Sequence, residues 1–487
     1  MTATDCSTDA STARWSSSKS NRRPRICGGT ARGSRGARLS PGATPARRCA
    51  HTVLRRVLRE GAFADRSFRT EAGRAGLEPR ERAFAQRLAY GTIQRLRTID
   101  WVIARLADRP LDAIDPPALD ALRLGVLQLV WLDAVPAHAA VDQTVELAAA
   151  EAPRARGFVN ALMRRAAGEA TELVELLPGD GPDEAALKHS HPDWLAEAWW
   201  EALGRADASA LMARDNEPAE SALRVNTLRT SRDAALDELR GVGVAARPAG
   251  DLDEGVVLED PFDVHGSDLF QRGLVMPQSR GSMLVGRVAD PQPGERVLDL
   301  CSAPGAKTTH LAALMEGRGE IVSVEASPAR ADELRANCAR LGVRIVDVRT
   351  ADAREPVEPG GFDRVLLDAP CSDLGTLQSR PDARWRKDPA AIAELAALQR
   401  ELLESAAGQL RRGGVLVYST CTISSAENEL QIDRLLSTHP ELLADDLGAD
   451  WPGFSLGTDR RFLQLLPHRD GTDGFFIARL RRRRPGG

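Results

Sequence analysis

The chain has 487 residues, of which 43% are hydrophobic and 28% are charged, and its formal net charge is −4. This length predicts two or three domains with buried cores, and the charge excludes a uniformly basic chain. Seven cysteines without dense or zinc-type spacing exclude a disulfide scaffold, so we predict a reducing, cytoplasmic location and no metal site. No apolar run approaches the roughly 20 residues of a membrane-spanning helix, so no membrane partner is expected.

Residues 1–49 form a segment rich in Ser, Gly, Pro and Arg, whose only acidic residues are Asp5 and Asp9. Such a segment buries too little apolar surface to offset its ordering entropy, so we predict a disordered basic tail. An organellar transit peptide has a similar composition, and a misassigned start codon is another alternative. A signal peptide is not expected, because no apolar core follows the charges.

Residues 50–167 have helical periodicity and predict an all-α domain. Apolar residues recur at steps of three and four at Phe84, Leu88, Leu96, Ile99, Ile103 and Leu106. Arginines occur throughout the segment, at Arg87, Arg95, Arg97, Arg154, Arg156, Arg164 and Arg165. They form either an RNA-binding surface or a solvated or interdomain face, and the sequence does not decide between these.

A linker is predicted over residues 168–184, where "PGDGPDE" is typical of turns. Residues 185–284 mix helical and strand patterns and predict a small α+β subdomain without a catalytic constellation. From residue 285 to 487, short apolar runs alternate with helical stretches. This alternation predicts an α/β domain with a mostly parallel sheet, closed by a terminal hairpin over "RRFLQLLP" and "DGFFIARL". Its strands are predicted at 296–301, 320–325, 343–352, 363–371 and 413–421, and its helices at 307–315, 328–341, 389–410 and 425–436.

Acidic or thiol side chains lie at the C-terminal end of every predicted parallel strand, namely Asp299, Cys301, Glu325, Asp352, Asp368, Cys371 and Cys421. An acid at a strand end is usually a turn residue, and a single cysteine is usually a small buried apolar residue. The coincidence across five strands is what predicts a site, because ligands of open α/β sheets bind at that edge.

The first turn, "DLCSAPGAKTTHL", limits the ligand. It contains Gly305 as its only glycine and is neither a dinucleotide-binding nor a P-loop pattern, which disfavours a dinucleotide or a triphosphate. Glu325 stands where an acid accepts hydrogen bonds from ribose hydroxyls, and Asp352 is within reach of an adenine edge. Ribose and adenine recognition without a phosphate cradle indicates S-adenosylmethionine.

Three motifs carry a resemblance to a known family: "VLDLCSAPGAKTTHLA", "LLDAPCSDLGTLQSRPDARW" and "VYSTCTISSAENELQI". They resemble the signature motifs of RNA cytosine-5 methyltransferases, which have a Rossmann-like catalytic domain. The helical half, with "DALRLGVLQLVWLDAVPAHAAVDQTVELA" and "GFVNALMRR", resembles the NusB-like domain of the Sun/RsmB branch, which methylates small-subunit ribosomal RNA. The resemblance extends from about residue 50 to the C-terminus.

The resemblance implies a role for each motif residue. Cys421 would be the nucleophile that adds to carbon 6 of cytosine, Cys371 would assist release, and Asp368 would hydrogen-bond the base. S-adenosyl-L-methionine would be held by Cys301, Ser302, Ala303, Pro304, Gly305, Ala306, Lys307, Glu325, Asp352 and Asp368. Helix N-termini after both cysteines could lower the pKa of the thiols. Structured RNA, most directly small-subunit ribosomal RNA, is the expected partner of a monomer.

Two positions depart from the family pattern. Ala306 replaces the second glycine of the cofactor turn, and Ala would cost about 1 kcal/mol if that position required a positive φ. Asp373 replaces the glycine that usually follows Cys-Ser, and its carboxylate could slow thiolate formation.

Three alternatives remain at the level of sequence. A DNA cytosine-5 methyltransferase would use Cys371 as nucleophile, but would leave Cys421 without a role. The same chemistry on transfer RNA is separated only weakly from the ribosomal reaction. A non-enzymatic RNA-binding or assembly factor with a vestigial catalytic domain would not need both cysteines and three acids.

Overall fold

The computed structural model describes residues 42–250, 252–454 and 459–484. Most of the predicted basic tail lies outside the described residues. Its last residues do not belong to a tail, because the first helix begins at Pro45 and buries Ala46 and Cys49. Proline at the first helical turn is favourable, since its missing N–H would have no partner there. In the part of the chain that the structure describes, no helix is long and apolar enough to cross a membrane.

The N-terminal region is all-α, as predicted. Its core includes Leu54, Leu88 and Ile103, which have no exposed surface. The predicted linker is shorter in the structure, because α7 runs to Glu175 and the next helix begins at Pro182. The helices of this region are α1 Pro45–Glu60, α2 Ala64–Arg74, α3 Pro79–Gln94, α4 Leu96–Ala107, α5 Pro116–Trp131, α6 Ala137–Glu151 and α7 Arg156–Glu175.

The small domain is α+β and contains a four-stranded antiparallel sheet with the strand order β2-β3-β1-β4. Helix α12 was assigned in part to this domain by the sequence, but Leu284, Val285 and Val288 pack in the core of the catalytic sheet. The elements are α8 Pro182–His189, α9 Asp193–Arg214, β1 Ser221–Val225, α10 Arg232–Gly241, β2 Ala246–Ala249, β3 Leu252–Leu258, α11 Asp268–Gln271, β4 Val275–Pro277 and α12 Arg280–Ala289.

The C-terminal region is the predicted Rossmann-like α/β domain. Its described strands form an eight-stranded sheet with the order β10-β12-β9-β8-β5-β6-β7, and β11 pairs with β12 as the predicted terminal hairpin. The strands are β5 Arg296–Leu300, β6 Glu320–Glu325, β7 Val346–Thr350, β8 Phe362–Asp368, β9 Leu410–Thr420, β10 Leu442–Ala444, β11 Phe462–Gln464 and β12 Phe476–Arg482. The helices are α13 Ala306–Leu314, α14 Pro328–Leu341, α15 Ala383–Arg386, α16 Pro389–Gln409, α17 Glu429–Thr438, α18 Leu447–Asp450 and α19 Pro467–Asp470.

Strands β5 to β9 are mutually parallel, so their C-terminal ends meet at one edge of the sheet. Strands β5, β6, β8 and β9 are largely apolar and buried, as expected where helices cover a parallel sheet, whereas the edge strand β7 is partly exposed. Both β8 and β9 end before their cysteines, at Asp368 and Thr420. The last predicted helix starts later than expected, at Glu429, because the residues before it form turns. The cysteines therefore lie in loops above the sheet edge.

Candidate active site

The two motif cysteines lie side by side. Cys371 follows β8 and Cys421 follows β9, and these parallel neighbours pair Asp368 with Ser419 at their ends. The Sγ atoms of Cys371 and Cys421 are 3.3 Å apart. The loops are joined again one residue further on, where the hydroxyls of Ser372 and Thr422 are 2.7 Å apart. The sheet thus brings together two thiols that are fifty residues apart in sequence.

A buried glutamate that sequence reasoning missed fixes both cysteine loops. Glu427 has no exposed surface. Its Oε1 accepts from the main-chain N of Ser372 at 2.9 Å and from Gln399 Nε2 at 3.1 Å, and its Oε2 accepts from Ser372 Oγ at 2.5 Å. Burial raises the pKa of Glu427. The signal was its place in the second cysteine motif, six residues after Cys421.

The surroundings of Cys421 disfavour its thiolate form. Its pKa is raised well above the usual range by the hydrogen bond with Cys371, then by burial and by the negative charge of Asp373. The expected help from helix N-termini is wrong, because the helix that follows Cys421 begins only at Glu429. Macrodipole effects fade within the first turn of a helix, so that helix is too far away.

Asp368 connects the cysteine pair to the predicted cofactor turn. Its Oδ2 accepts a hydrogen bond from Lys307 Nζ at 2.7 Å, and its Oδ1 accepts one from Ser419 Oγ at 2.7 Å. Lys307 also lies 5.1 Å from the centroid of the Phe475 ring. A half-buried carboxylate held from two sides has a fixed orientation, which is what recognition of a base edge requires.

Glu325 fits the predicted role at a cofactor. Its side chain is 4% exposed at the end of β6, and its Oε1 accepts from the main-chain N of Ser327 at 3.0 Å. Its Oε2 is buried and has no hydrogen-bond partner among the described residues, although Arg330 Nη1 lies 3.6 Å away. A buried carboxylate oxygen is costly without a donor, and the hydroxyls of a ribose would supply donors. The residues therefore fit S-adenosylmethionine.

The predicted cofactor turn lies beside Glu325. Cys301 and Gly305 adopt the left-handed conformation, with φ of 61° and 97°. A Cβ at Gly305 would come within 2.3 Å of Leu334, so glycine is required there.

The energetic cost expected for Ala306 does not arise, because Ala306 is the first residue of α13 and is absent from the positive-φ positions. Ser302, Ala303 and Pro304 complete the turn, in which Ala303 is held by a bond from Arg330 Nη2 to its oxygen at 2.7 Å.

Two further acids of the sheet edge have different surroundings. Asp352 is exposed and bonded to Arg354, 2.6 Å from Oδ2 to Nη2, and this bond lowers its pKa. A cofactor amine would share that carboxylate with the guanidinium. Asp299 is fully buried and accepts from Thr308 Oγ1 at 2.6 Å. Asp299 therefore has a structural role beneath the predicted cofactor turn.

The cysteine loops also contain a group of ligand atoms that the sequence did not predict. One atom each from Cys371, Asp373 and Cys421 lie within 4.8 Å of one another, an arrangement that could hold a metal ion. No zinc-type spacing exists in the sequence because Cys421 meets Cys371 and Asp373 only through adjacent strands.

The arginines of the helical region divide into three groups. Arg95 donates to the main-chain oxygen of Asn216 at 2.7 Å, and Arg97 to that of His191 at 2.7 Å, so both lie in the contact with the small domain. An RNA-binding role for these two is wrong, because their guanidinium groups are used inside the molecule. Arg156 and Arg165 form ion pairs with acids of their own region. Arg87, Arg154 and Arg164 form no ion pair with any described residue.

Comparison with known proteins gave matches over almost the whole described chain. Family models match for NusB over residues 44–168, for the "Methyltr_RsmF/B-like, ferredoxin-like domain" over 191–265, and for "16S rRNA methyltransferase RsmB/F" over 287–481.

Relatives of known name are similar along their full length. The "Probable ribosomal RNA small subunit methyltransferase B" of Synechocystis sp. is 35% identical over 90% of this chain and 99% of its own. The "Ribosomal RNA small subunit methyltransferase B" of Sodalis glossinidius is 35% identical over 83% and 91%. Among solved structures, that of PH0851 has a TM-score of 0.76 at 28% identity and covers 90% of this chain and 99% of its own. That of NSun6 from Pyrococcus horikoshii with SFG has a TM-score of 0.55 at 26% identity and covers 60% and 98%.

Proposed function

Because the chain belongs to the RsmB/F family of S-adenosylmethionine-dependent 16S rRNA methyltransferases, we propose that it methylates carbon 5 of a cytosine in small-subunit ribosomal RNA through a covalent adduct. The observation that carries this proposal is the 3.3 Å distance between the thiols of Cys371 and Cys421 at the ligand-binding edge of the sheet. A methyltransferase acting on a nitrogen or an oxygen needs no such pair.

Carbon 5 of cytosine is a weak nucleophile, and a thiolate that adds to carbon 6 makes it reactive. Cys421 is the nucleophile in this proposal, since it is the more exposed of the two thiols. Cys371 assists breakdown of the adduct, in which the carbon 5 proton leaves and the enzyme thiol is expelled. One thiol acts at carbon 6 and the other assists loss of the proton from carbon 5. Because these two carbons are bonded to each other, the two thiols must be adjacent.

Asp368 holds the base in the proposed complex. Its carboxylate is oriented by Lys307 and Ser419, and it faces the same edge as the cysteines. A hydrogen bond from Asp368 at the ring nitrogen side of the cytosine would align carbon 6 with Cys421 Sγ. Such alignment raises the reaction rate because it turns a bimolecular step into an effectively unimolecular one.

The cofactor supplies an electrophilic methyl group when it is bound. In the proposal Glu325 accepts hydrogen bonds from the ribose of the cofactor, and the turn from Cys301 to Lys307 packs against the rest of the cofactor. Burial raises the pKa of the Cys301 thiol to about 12, with Asp368 and Glu325 adding to the shift, so this thiol stays protonated. Asp352 is proposed to contact the adenine edge.

The helical region is proposed to bind RNA through the arginines left free, Arg87, Arg154 and Arg164. The predicted division into a helical, a small and a catalytic domain remains part of this proposal, with the limits corrected at α1, at the linker and at α12. Catalysis and RNA affinity are thus separated: the thiols lie above the C-terminal sheet, whereas these guanidinium groups lie on helices α3 and α7 and the turn before α7. Phosphate contacts outside the catalytic domain would help to offset the cost of unstacking the target cytosine.

The alternatives receive less support. A DNA-type mechanism would make Cys371 the nucleophile, although it is the more buried thiol. A vestigial site would not be expected to keep two thiols, Asp368 and a buried Glu325 oxygen without a hydrogen-bond donor at one sheet edge. Transfer RNA as substrate is disfavoured by the names of the relatives.

The test is bisulfite mapping of ribosomal and transfer RNA from a strain that lacks the gene. One 16S rRNA cytosine should lose its methyl group in that strain, regain it with the wild-type gene and not with Cys421→Ala. A methyl group lost only from transfer RNA would make transfer RNA the substrate, and no change in either RNA would contradict the proposal.

A further inference from the structure

Asp373 brings a carboxylate into contact with the proposed nucleophile. Its Oδ1 accepts a hydrogen bond from Cys421 Sγ at 3.1 Å and one from Arg380 Nη1 at 2.6 Å. The φ of Asp373 is 62°, in the left-handed region. Asp and Asn enter this region more readily than other residues with side chains. Glycine, which the resembling motif usually has here, adopts the same left-handed backbone, so the side-chain carboxylate is an addition.

A proton acceptor is required at this place. The thiol of Cys421 donates a hydrogen bond to Asp373 Oδ1, and its sulfur cannot add to carbon 6 until that proton leaves. The acceptors that contact Sγ among the described residues are Cys371 Sγ at 3.3 Å and Asp373 Oδ1 at 3.1 Å. A thiol is a weak acceptor, whereas an ionised carboxylate accepts strongly. The geometry thus leaves Asp373 as the acceptor.

We propose that Asp373 takes the proton of Cys421 as the covalent adduct forms, an inference that rests on the function proposed above. The S–H bond breaks and its proton passes to Oδ1, while a sulfur electron pair forms the bond to carbon 6. The carbon 5–carbon 6 π pair moves to carbon 5, which takes the methyl group of S-adenosylmethionine, and the electron pair of the broken carbon–sulfur bond stays on the cofactor sulfur. On release, the carbon 5 proton leaves to solvent on the Cys371 side and its bonding pair re-forms the carbon 5–carbon 6 double bond, while the carbon 6–sulfur bond breaks and its electron pair goes to sulfur. The thiolate then recovers its proton from Asp373.

Arg380 is a positioning residue for this step. Its guanidinium donates to the same Oδ1 that faces Cys421, which aims the carboxylate at the thiol. Its positive charge also balances Asp373, so that an acid can stand beside a thiol that must pass through an anionic transition state. The alternative is that Asp373 does not accept the proton and only repels negative charge on sulfur. Its carboxylate would then hinder formation of the Cys421 thiolate. The two roles predict opposite effects of removing the carboxylate.

The experiment measures the rate of adduct formation on an unmodified 16S rRNA transcript, with S-adenosylmethionine and EDTA present. EDTA prevents a metal ion from occupying the thiol–carboxylate cluster. All variants carry Cys371→Ala, so that adduct accumulates and addition is separated from release. Into this background we place Asp373→Gly, Asp373→Asn and, as a control, Asp332→Asn, whose side chain is 77% exposed on α14. Glycine and asparagine both tolerate the left-handed backbone.

We expect both Asp373 variants to form adduct about 100-fold more slowly, the usual size of a lost general base, while the control is unaffected. Formate should restore the rate of Asp373→Gly as its concentration rises, because it fits the space left by the carboxylate. An unchanged or faster rate, or slow variants that formate does not rescue, would overturn the inference. If the Cys371→Ala enzyme itself forms no adduct, the covalent mechanism fails and the inference fails with it. A defect limited to Asp373 variants leaves that mechanism standing.

Discussion

The guanidinium of Arg384 donates a hydrogen bond to the main-chain oxygen of Gln94 at 3.1 Å, although 290 positions separate the two residues. Arg384 is fully buried. Its other bonds reach the main-chain oxygens of Ser190 and Asp215 and the side chain of Asn216. One side chain of the first cysteine motif therefore binds the helical region and the small domain to the catalytic domain.

Replacement of Arg384 should destabilise the whole chain. Arg384→Ala leaves four buried oxygen acceptors without their donor, and the expected loss in free energy of unfolding is about 3–5 kcal/mol, as for one partner removed from a buried ionic network. Urea denaturation measures it. Arg74→Ala is the matched control, because Arg74 is 71% exposed in an i,i+3 ion pair and should cost under about 1 kcal/mol. An equal loss of stability in the two variants would contradict the proposal that the buried hydrogen bonds of Arg384 stabilise the protein.

The two catalytic thiols should respond in opposite ways to alanine. Cys421→Ala should abolish both methyl transfer and the covalent RNA adduct, since no sulfur remains to attack carbon 6. Cys371→Ala should accumulate adduct, because addition proceeds and release fails. Denaturing gel electrophoresis with labelled 16S rRNA distinguishes the outcomes. Adduct in Cys421→Ala but not in Cys371→Ala would reverse the roles and favour a DNA-type mechanism.

Glu325 should contribute to cofactor affinity. Glu325→Ala removes the buried oxygen that lacks a donor in the described residues, and S-adenosylmethionine binding should weaken by about 1–3 kcal/mol. Isothermal titration calorimetry provides the affinity. Glu333→Ala, an exposed glutamate on α14, is the control and should bind as wild type. Unchanged affinity of a folded Glu325→Ala protein would place the ribose contact elsewhere.

The free arginines of the helical region should govern RNA affinity. Arg154→Ala with Arg164→Ala should weaken binding to 16S rRNA and make its salt dependence shallower, by about one in the log–log slope for each phosphate that is no longer neutralised. The domain cannot simply be deleted, because Arg384 and Trp385 bond to Gln94 and Ile93. The control is Arg240→Ala with Arg318→Ala, which changes the net charge equally in the other domains. An equal effect of both pairs would show that only total charge matters.

The buried acid beneath the cofactor turn should produce a pH-dependent stability difference. Burial raises the pKa of Asp299 to about 7, whereas an exposed aspartate has a pKa of about 3.9. The folded state thus binds the proton more tightly, and this stabilising contribution falls as the pH rises from about 4 to 7. The stability of Asp299→Asn relative to wild type should rise over that window, by up to about 1.4 kcal/mol per pH unit. Asp332→Asn is the control and should give a flat difference, and a flat difference for Asp299→Asn would contradict the shift.

The strand and helix pattern of the catalytic domain was readable from the sequence because apolar runs of five or six residues alternate with amphipathic stretches. The strand Glu320–Glu325 and the helix Pro328–Leu341 agree with the prediction at both ends. The prediction failed where turns precede a helix. Residues 425–428 have helical composition, but Glu427 and Asn428 are bonded to loop atoms of both cysteine motifs. The bond from Ser372 N to Glu427 Oε1 spans 55 positions, and a long-range bond of this kind overrides local helix propensity.

The sequence by itself determined the order of domains, the strand-end positions of the cysteines and acids, and the family, since these depend on local periodicity and on motifs contiguous in the chain. Only the tertiary structure decided which groups touch. Adjacent parallel strands set the 3.3 Å between the thiols, a turn with positive φ aimed Asp373 at Cys421, and domain packing removed Arg95 and Arg97 from any RNA-binding surface. The physical reason is that these contacts join residues separated by 48 to 121 positions, and sheet order and domain packing, which local sequence does not encode, decide which distant groups meet.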